Sequence, residues 1–221
     1  MDENLISGIK TYIAPVSSSS CELSVKKSLF ISFASPIESQ EDADIFLSEK
    51  KKKYPDARHH VYAWSVTGKL FREKYSDDHE PSGTAGLPIS SLLSSNNISN
   101  VIVVVVRYFG GTLLGTGGLV RAYTKSASDA LNASDLRLMS LNSTFFLKSE
   151  YADYEKIKRY CIENSLILSD EEYTETISFK ISVPYIIKDK FTEEITDISS
   201  GRISFEEKGQ KYMPGGKSIL I

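Results

Sequence analysis

The longest unbroken apolar run in the chain sets its organisation. Six consecutive aliphatic residues, Val101 to Val106, leave no polar face for water, so the pattern predicts a strand covered on both sides. Five glycines follow within nine positions (Gly110, Gly111, Gly115, Gly117 and Gly118), which predicts a loop of special geometry. Leu119, Val120, Tyr123, Ala127, Ala130 and Leu131 then recur at helical spacing and predict an amphipathic helix. The central unit is therefore strand, glycine loop, helix.

Upstream, residues 1–20 hold few apolar anchors and end in four serines, which reads as a loosely held arm. Cys21 to Lys26 and Ser28 to Ala34 are rich in β-formers and form a hairpin about Lys26-Lys27-Ser28. Ser39 and Asp42 make a capping pattern for a helix carrying Ala43, Phe46, Leu47 and Tyr54 on one face and ending near Pro55. Lys50 to Lys53 in its last turn suit the negative end of the helix dipole. A second hairpin, Val61 to Val66 with Leu70 to Tyr75, turns at Thr67-Gly68-Lys69. Thr84 is placed to cap a helix over Leu87 to Leu93, and Ser94 to Asn100 reads as a polar turn.

From Leu136 the pattern changes. A strand at Ser143 to Lys148, a helical face at Tyr154, Ile157, Tyr160 and Cys161, and strands at Leu166 to Leu168 and Ile177 to Val183 about an acidic turn at Asp170 to Glu172 come first. A helical stripe at Ile187, Phe191, Ile195 and Ile198, stopped by Gly201, and a strand at Arg202 to Glu206 complete the order β-α-β-β-α-β, the ferredoxin-like pattern. The tail QKYMPGGKSILI predicts no element. The expected fold is α+β in two domains, residues 1–135 and 136–221.

Composition narrows the function classes. The chain has 221 residues, 41% hydrophobic and 25% charged, enough for a real core, and a formal net charge of −3 that argues against a general polyanion binder while leaving room for a local basic patch. Cys21 and Cys161 stand far apart without metal spacing and read as reduced thiols. No apolar run reaches membrane-spanning length and the N-terminus has no secretory pattern, so the expected address is cytoplasmic with no membrane contact.

Two blocks could carry chemistry. Backbone amides of a glycine turn entering a helix form an anion site, to which Arg107, Arg121 and Lys125 add charge and beside which Tyr108 and Phe109 could stack on bases. The loop is neither a Walker loop nor a full dinucleotide fingerprint: no Gly-Lys-Ser/Thr follows, and Val120 stands where a third glycine or alanine belongs. Close packing alone would also explain the glycines. The second block is Asp77, Asp78, His79 and Glu80, to which one of His59 and His60 could add an imidazole for acid–base work; a solvated turn explains the same residues, and no metal-ligand rule or cofactor motif is met.

PDARHH at residues 55–60, DDHEPSGTAG at 77–86 and VVVVRYFGGTLLGTGGLVRAY at 103–123 resemble, in order, the signature blocks of the IMPACT/YigZ family, and SSGRISFEEKGQKY extends the resemblance across most of the chain. His79 departs from it, because bacterial members usually carry glycine there. The resemblance implies an N-terminal domain similar to the second domain of a small-subunit ribosomal protein and a ferredoxin-like C-terminal domain, folds that also occur side by side in translation elongation factor G. It implies no established reaction. Eukaryotic relatives act in translational control through a protein partner, using a further domain not evident here. The expected function is a non-enzymatic RNA- or ribosome-associated protein, with a possible protein partner in translation control. The alternative is an enzyme or binder of a small phosphorylated ligand with residues 77–80 near the glycine loop.

Overall fold

The computed structural model describes residues 5–6, 9–67 and 71–221. In chain order the elements are β1 (Leu5–Ile6), β2 (Ile9–Lys10), β3 (Tyr12–Pro15), β4 (Ser19–Val25), β5 (Ser28–Pro36), α1 (Gln40–Lys53), β6 (His59–Val66), β7 (Arg72–Ser76), α2 (Gly86–Ser95), β8 (Val101–Tyr108) and α3 (Thr116–Ala133). They continue with β9 (Leu136–Ser149), α4 (Tyr151–Glu163), β10 (Ile167–Tyr173), β11 (Ile177–Pro184), a short 3₁₀ turn, α5 (Lys188–Ile198) and β12 (Ser204–Ile219). Two compact units emerge. The larger comprises Tyr12–Leu138 and Pro214–Ile221; the smaller comprises Met139–Met213 with the described residues up to Thr11.

The larger unit is a five-stranded antiparallel sheet in the order β4-β5-β8-β6-β7. β8 is its centre. Val101, Val103 and Val105 enter the core formed with α2 and α3, while Ile102, Val104 and Val106 enter the core under α1, and all six are fully buried. A strand sandwiched in this way must be apolar on both faces, which is the run the sequence carries. α1 opens on a capping box, with the Ser39 hydroxyl accepting from the Asp42 amide and the Asp42 carboxylate accepting from the Ser39 amide. The turn of the second hairpin, at residues 68–70, lies outside the described residues.

Five local expectations are corrected. Residues 12–20 are docked: Ile13 exchanges backbone hydrogen bonds with Asn97 and Ser99, and Ser19 Oγ donates to Ala130 O. Ile98, read as part of a polar turn, is fully buried and bridges Ile13. Thr84 does not cap α2; its hydroxyl donates to Pro81 O, and the Asp77 carboxylate takes the Ala85 and Gly86 amides instead. The acidic residues 170–172 lie inside β10, where a register shift and a left-handed Asp170 (φ 52°) bulge the strand. The glycine-rich tail is strand as far as Ile219, so β12 is much longer than Arg202 to Glu206.

In the smaller unit the sheet order is β10-β11-β9-β12. Phe145, Leu147, Phe179 and Ile181 of its strands pack with Tyr154, Ile157 and Cys161 of α4 and Phe191 and Ile195 of α5. Arg202 clamps Asp153 with two hydrogen bonds of 3.1 and 2.8 Å, which hold that carboxyl below its ordinary range.

Candidate functional site

Strand pairing puts Phe30, Arg107 and His59 in one cross-strand row, because Arg107 is the partner of both Phe30 on β5 and His59 on β6. The row lies on the face shared with α3. Arg107 is 5% exposed there, its guanidinium 2.6 Å from Glu80 Oε1 and 5.4 Å from the Phe30 ring centroid. The Tyr123 hydroxyl donates to the same Glu80 oxygen at 2.8 Å, and Tyr123 meets Phe30 edge to face at 5.2 Å. Burial, reinforced by the Glu80 charge, raises the Tyr123 phenol pKa far above the ordinary range, so it stays a donor. Arg107 and Tyr123 root the two ends of the glycine loop, and Glu80 ties them together.

Arg107 is therefore not a phosphate contact. Its charge is spent on Glu80 inside the protein, and a buried arginine released from its partner would pay a large desolvation cost. Tyr108 is also misplaced for stacking beside the loop. Alternation on β8 turns it toward the α1 face, where its hydroxyl donates to Asp56 at 2.8 Å. Phe109 is half exposed beside the loop and lies 5.7 Å from the Arg107 guanidinium.

The acidic block holds the backbone. Asp77 Oδ2 accepts from the Gly83 amide and Oδ1 from the Ala85 and Gly86 amides, at 2.8 to 3.0 Å, gathering the loop and the start of α2. Asp78 Oδ2 accepts from the His60 amide at 2.6 Å. Asp78 and His79 both have positive φ, 41° and 70°, the region glycine tolerates best; His79 is exposed. His59 and His60 point to opposite faces. His59 Nδ1 donates to Asp78 O at 2.9 Å, which leaves Nε2 3.7 Å from Glu80 Oε1. His60 Nε2 donates to Tyr54 O at 3.0 Å, and desolvation lowers the His60 pKa. No group of three or more His, Cys, Asp or Glu among the described residues is arranged to hold a metal ion.

Within the glycine loop, Gly110 is a packing glycine. Its amide donates to Ser28 Oγ at 3.2 Å, and a Cβ there would stand 2.0 Å from Lys27 C. Beyond it, no amide from Gly111 through Gly118 has an acceptor among the described residues. Gly111 (φ 81°) and Gly115 (φ 72°) face open space, and Gly115 opens α3 with no side-chain cap and no acidic residue in the first turn. Gly118 packs close to Leu114, while a Cβ on Gly117 would lie 3.9 Å from the Arg121 guanidinium, so Arg121 reaches back over the first turn of α3. Arg121 is exposed and has no carboxylate partner among the described residues; Lys125 pairs with Asp129 at 2.6 Å.

Sequence reasoning passed over Lys26. It sits at the tip of the β4–β5 hairpin and lines a groove with Arg121 and Lys125. The two turn residues, Lys26 (φ 46°) and Lys27 (φ 69°), are both left-handed, the geometry in which Asn-Gly is usual, and that mismatch was the available signal.

The architecture is that of a two-unit mixed α/β protein with antiparallel sheets. Residues 26–131 match the Impact N-terminal domain, and residues 147–202 match a domain of unknown function, DUF1949. An IMPACT family member of Haemophilus influenzae is 35% identical over 87% of this chain and 94% of its own. The IMPACT family member YvyE of Bacillus subtilis is 32% identical over 87% of this chain and 88% of its own. A crystal structure of a hypothetical protein aligns with 90% of this chain and 98% of its own, at 28% identity and a TM-score of 0.57. The chain belongs to the IMPACT family.

Proposed function

We propose that the chain contacts RNA, free or on the ribosome, in translational control, and that the start of α3 with Arg121, Lys26 and Lys125 takes the phosphates. One observation carries the reading. Arg121, which reaches back over the first turn of α3, and Lys26 line one groove without a carboxylate partner among the described residues, an arrangement of like charge beside the positive end of the α3 dipole that an anion relieves. Phe109 remains as an exposed ring for a base, and the phosphate role first read at Arg107 passes to Lys26. Family membership supports the setting, since eukaryotic relatives act in translational control. In the same reading the larger unit is similar to the second domain of a small-subunit ribosomal protein and the smaller unit is ferredoxin-like, a reading that the strand order β10-β11-β9-β12 supports.

The enzyme reading has less support. Asp77 and Asp78 bond backbone amides and Glu80 bonds Arg107 and Tyr123, so these carboxylates are engaged within the protein.

Binding of a labelled single-stranded RNA, measured across a salt series, tests the proposal. Affinity should fall with salt, and Arg121→Ala or Lys26→Ala should each lower the log–log slope by about 0.7, one phosphate contact. Binding without salt dependence, or slopes unchanged in both variants, overturns it.

A further inference from the structure

Beside the start of α3 lies a groove of about 300 Å³ between β4 and α3. Its floor is apolar: Leu23 and Val25 from the hairpin, Leu114 from the glycine loop and Ala122 from the helix. Leu23, Val25 and Leu114 are only partly buried, resting on the core of the larger unit with one side open. The rim is cationic, formed by Lys26, Arg121 and Lys125, and no acidic side chain lines the groove. Lys26 and Arg121 have no carboxylate partner among the described residues.

We infer that this groove binds a small amphiphilic anion, a molecule with a phosphate or carboxylate head and a short aliphatic body. The head belongs between Lys26 and Arg121, where two unneutralised cations flank the positive end of α3. The body belongs on Leu23, Val25, Leu114 and Ala122, apolar surface that a sugar-phosphate backbone leaves uncovered. No aromatic side chain lines the groove, so it offers a base nothing to stack on. Its volume falls at the lower end of the ligand-pocket range, which fits a free small molecule. The inference goes beyond the RNA reading and does not rest on it, because it concerns the apolar floor and is tested without RNA.

Titration calorimetry of the full chain with octyl phosphate, kept below its micellar concentration, tests the site against inorganic phosphate and butyl phosphate. Octyl phosphate should bind at least tenfold tighter than butyl phosphate, since each further buried methylene is worth up to about fourfold. Lys26→Glu should weaken octyl phosphate by roughly tenfold or more, whereas Lys74→Glu, an equal charge change on β7, should leave it unchanged. Leu23→Ser should flatten the dependence on chain length while retaining the affinity for inorganic phosphate; its circular dichroism melt separates this from unfolding. Equal affinity for the three phosphates, or equal effects of the two glutamate variants, overturns the inference. Either result leaves the salt slope of RNA binding to decide the other proposal.

Discussion

Burying Glu80 and Arg107 makes each dependent on the other. Their side chains are 3% and 6% exposed, so removing one partner strands a charge where water cannot solvate it. Glu80→Ala should lower the unfolding free energy by roughly 3–5 kcal/mol, whereas Glu80→Leu combined with Arg107→Met should recover most of that loss. Urea unfolding of the three proteins measures it, and a double variant no more stable than Glu80→Ala would show that the ion pair is not the cause. His60 makes a separate prediction. Its native pKa is lowered by desolvation, so the unfolded chain takes up a proton before the native protein does. The stability this gives is complete above the unfolded value of about 6.5 and is lost as pH falls from there through the lower native pKa. His60→Gln should flatten the decline in stability below about pH 6.5, read from urea midpoints at stepped pH, while the wild-type midpoint keeps falling.

At the scale of elements, the turn between β4 and β5 and the loop between β8 and α3 meet, and each constrains the other. Gly110 is required because Lys27 backbone occupies the space a side chain would need, and the Ser28 hydroxyl takes the Gly110 amide. The hairpin, in turn, holds two lysines in left-handed backbone, which costs roughly 1–2 kcal/mol per residue relative to glycine. Replacing the pair by Asn-Gly should raise stability by about 1 kcal/mol or more and reduce the salt slope of RNA binding, because the rim of the groove loses a cation. Thermal unfolding and the salt series check the two halves together; stabilisation with an unchanged slope would remove Lys26 from the proposed contact. The strand at Val101 to Val106 and the helix after it were legible because burial on two faces and a helical stripe are local patterns. The meeting of Lys26 with Arg121 was not, since nothing in the spacing of residues 26 and 121 records that a hairpin tip packs beside a helix start. Arg107 was misread for a related reason: its sequence neighbours point to a surface loop, while the partner that buries it is Glu80, brought from another part of the chain.

On the scale of the whole molecule, the hydrophobic pattern changes near Leu136, whereas nothing in the pattern marks where the tail goes. Residues 214–221 look like a glycine-rich end, yet they belong with the larger unit, after the chain has spent residues 139–213 in the smaller one. Ile219 and Ile221 rest on its core. Asn132 brackets Ile221, donating to its carbonyl at 3.0 Å and accepting from its amide at 2.8 Å. Short apolar tails carry no periodicity, so their docking is decided by the surface they find. If that docking stabilises the larger unit, deleting residues 214–221 should remove roughly 2–4 kcal/mol, the sum of two partly buried isoleucines and their hydrogen bonds. The loss should fall on the larger unit, so amide exchange should quicken in β5 and β8 and stay slow in β11, whose packing partners lie in the smaller unit's core. Asn132→Ala gives the same direction at about 1 kcal/mol without shortening the chain. Uniform acceleration across both sheets would mean that the two units unfold as one, and unchanged exchange in β5 and β8 would mean that the tail contributes nothing to the core it covers.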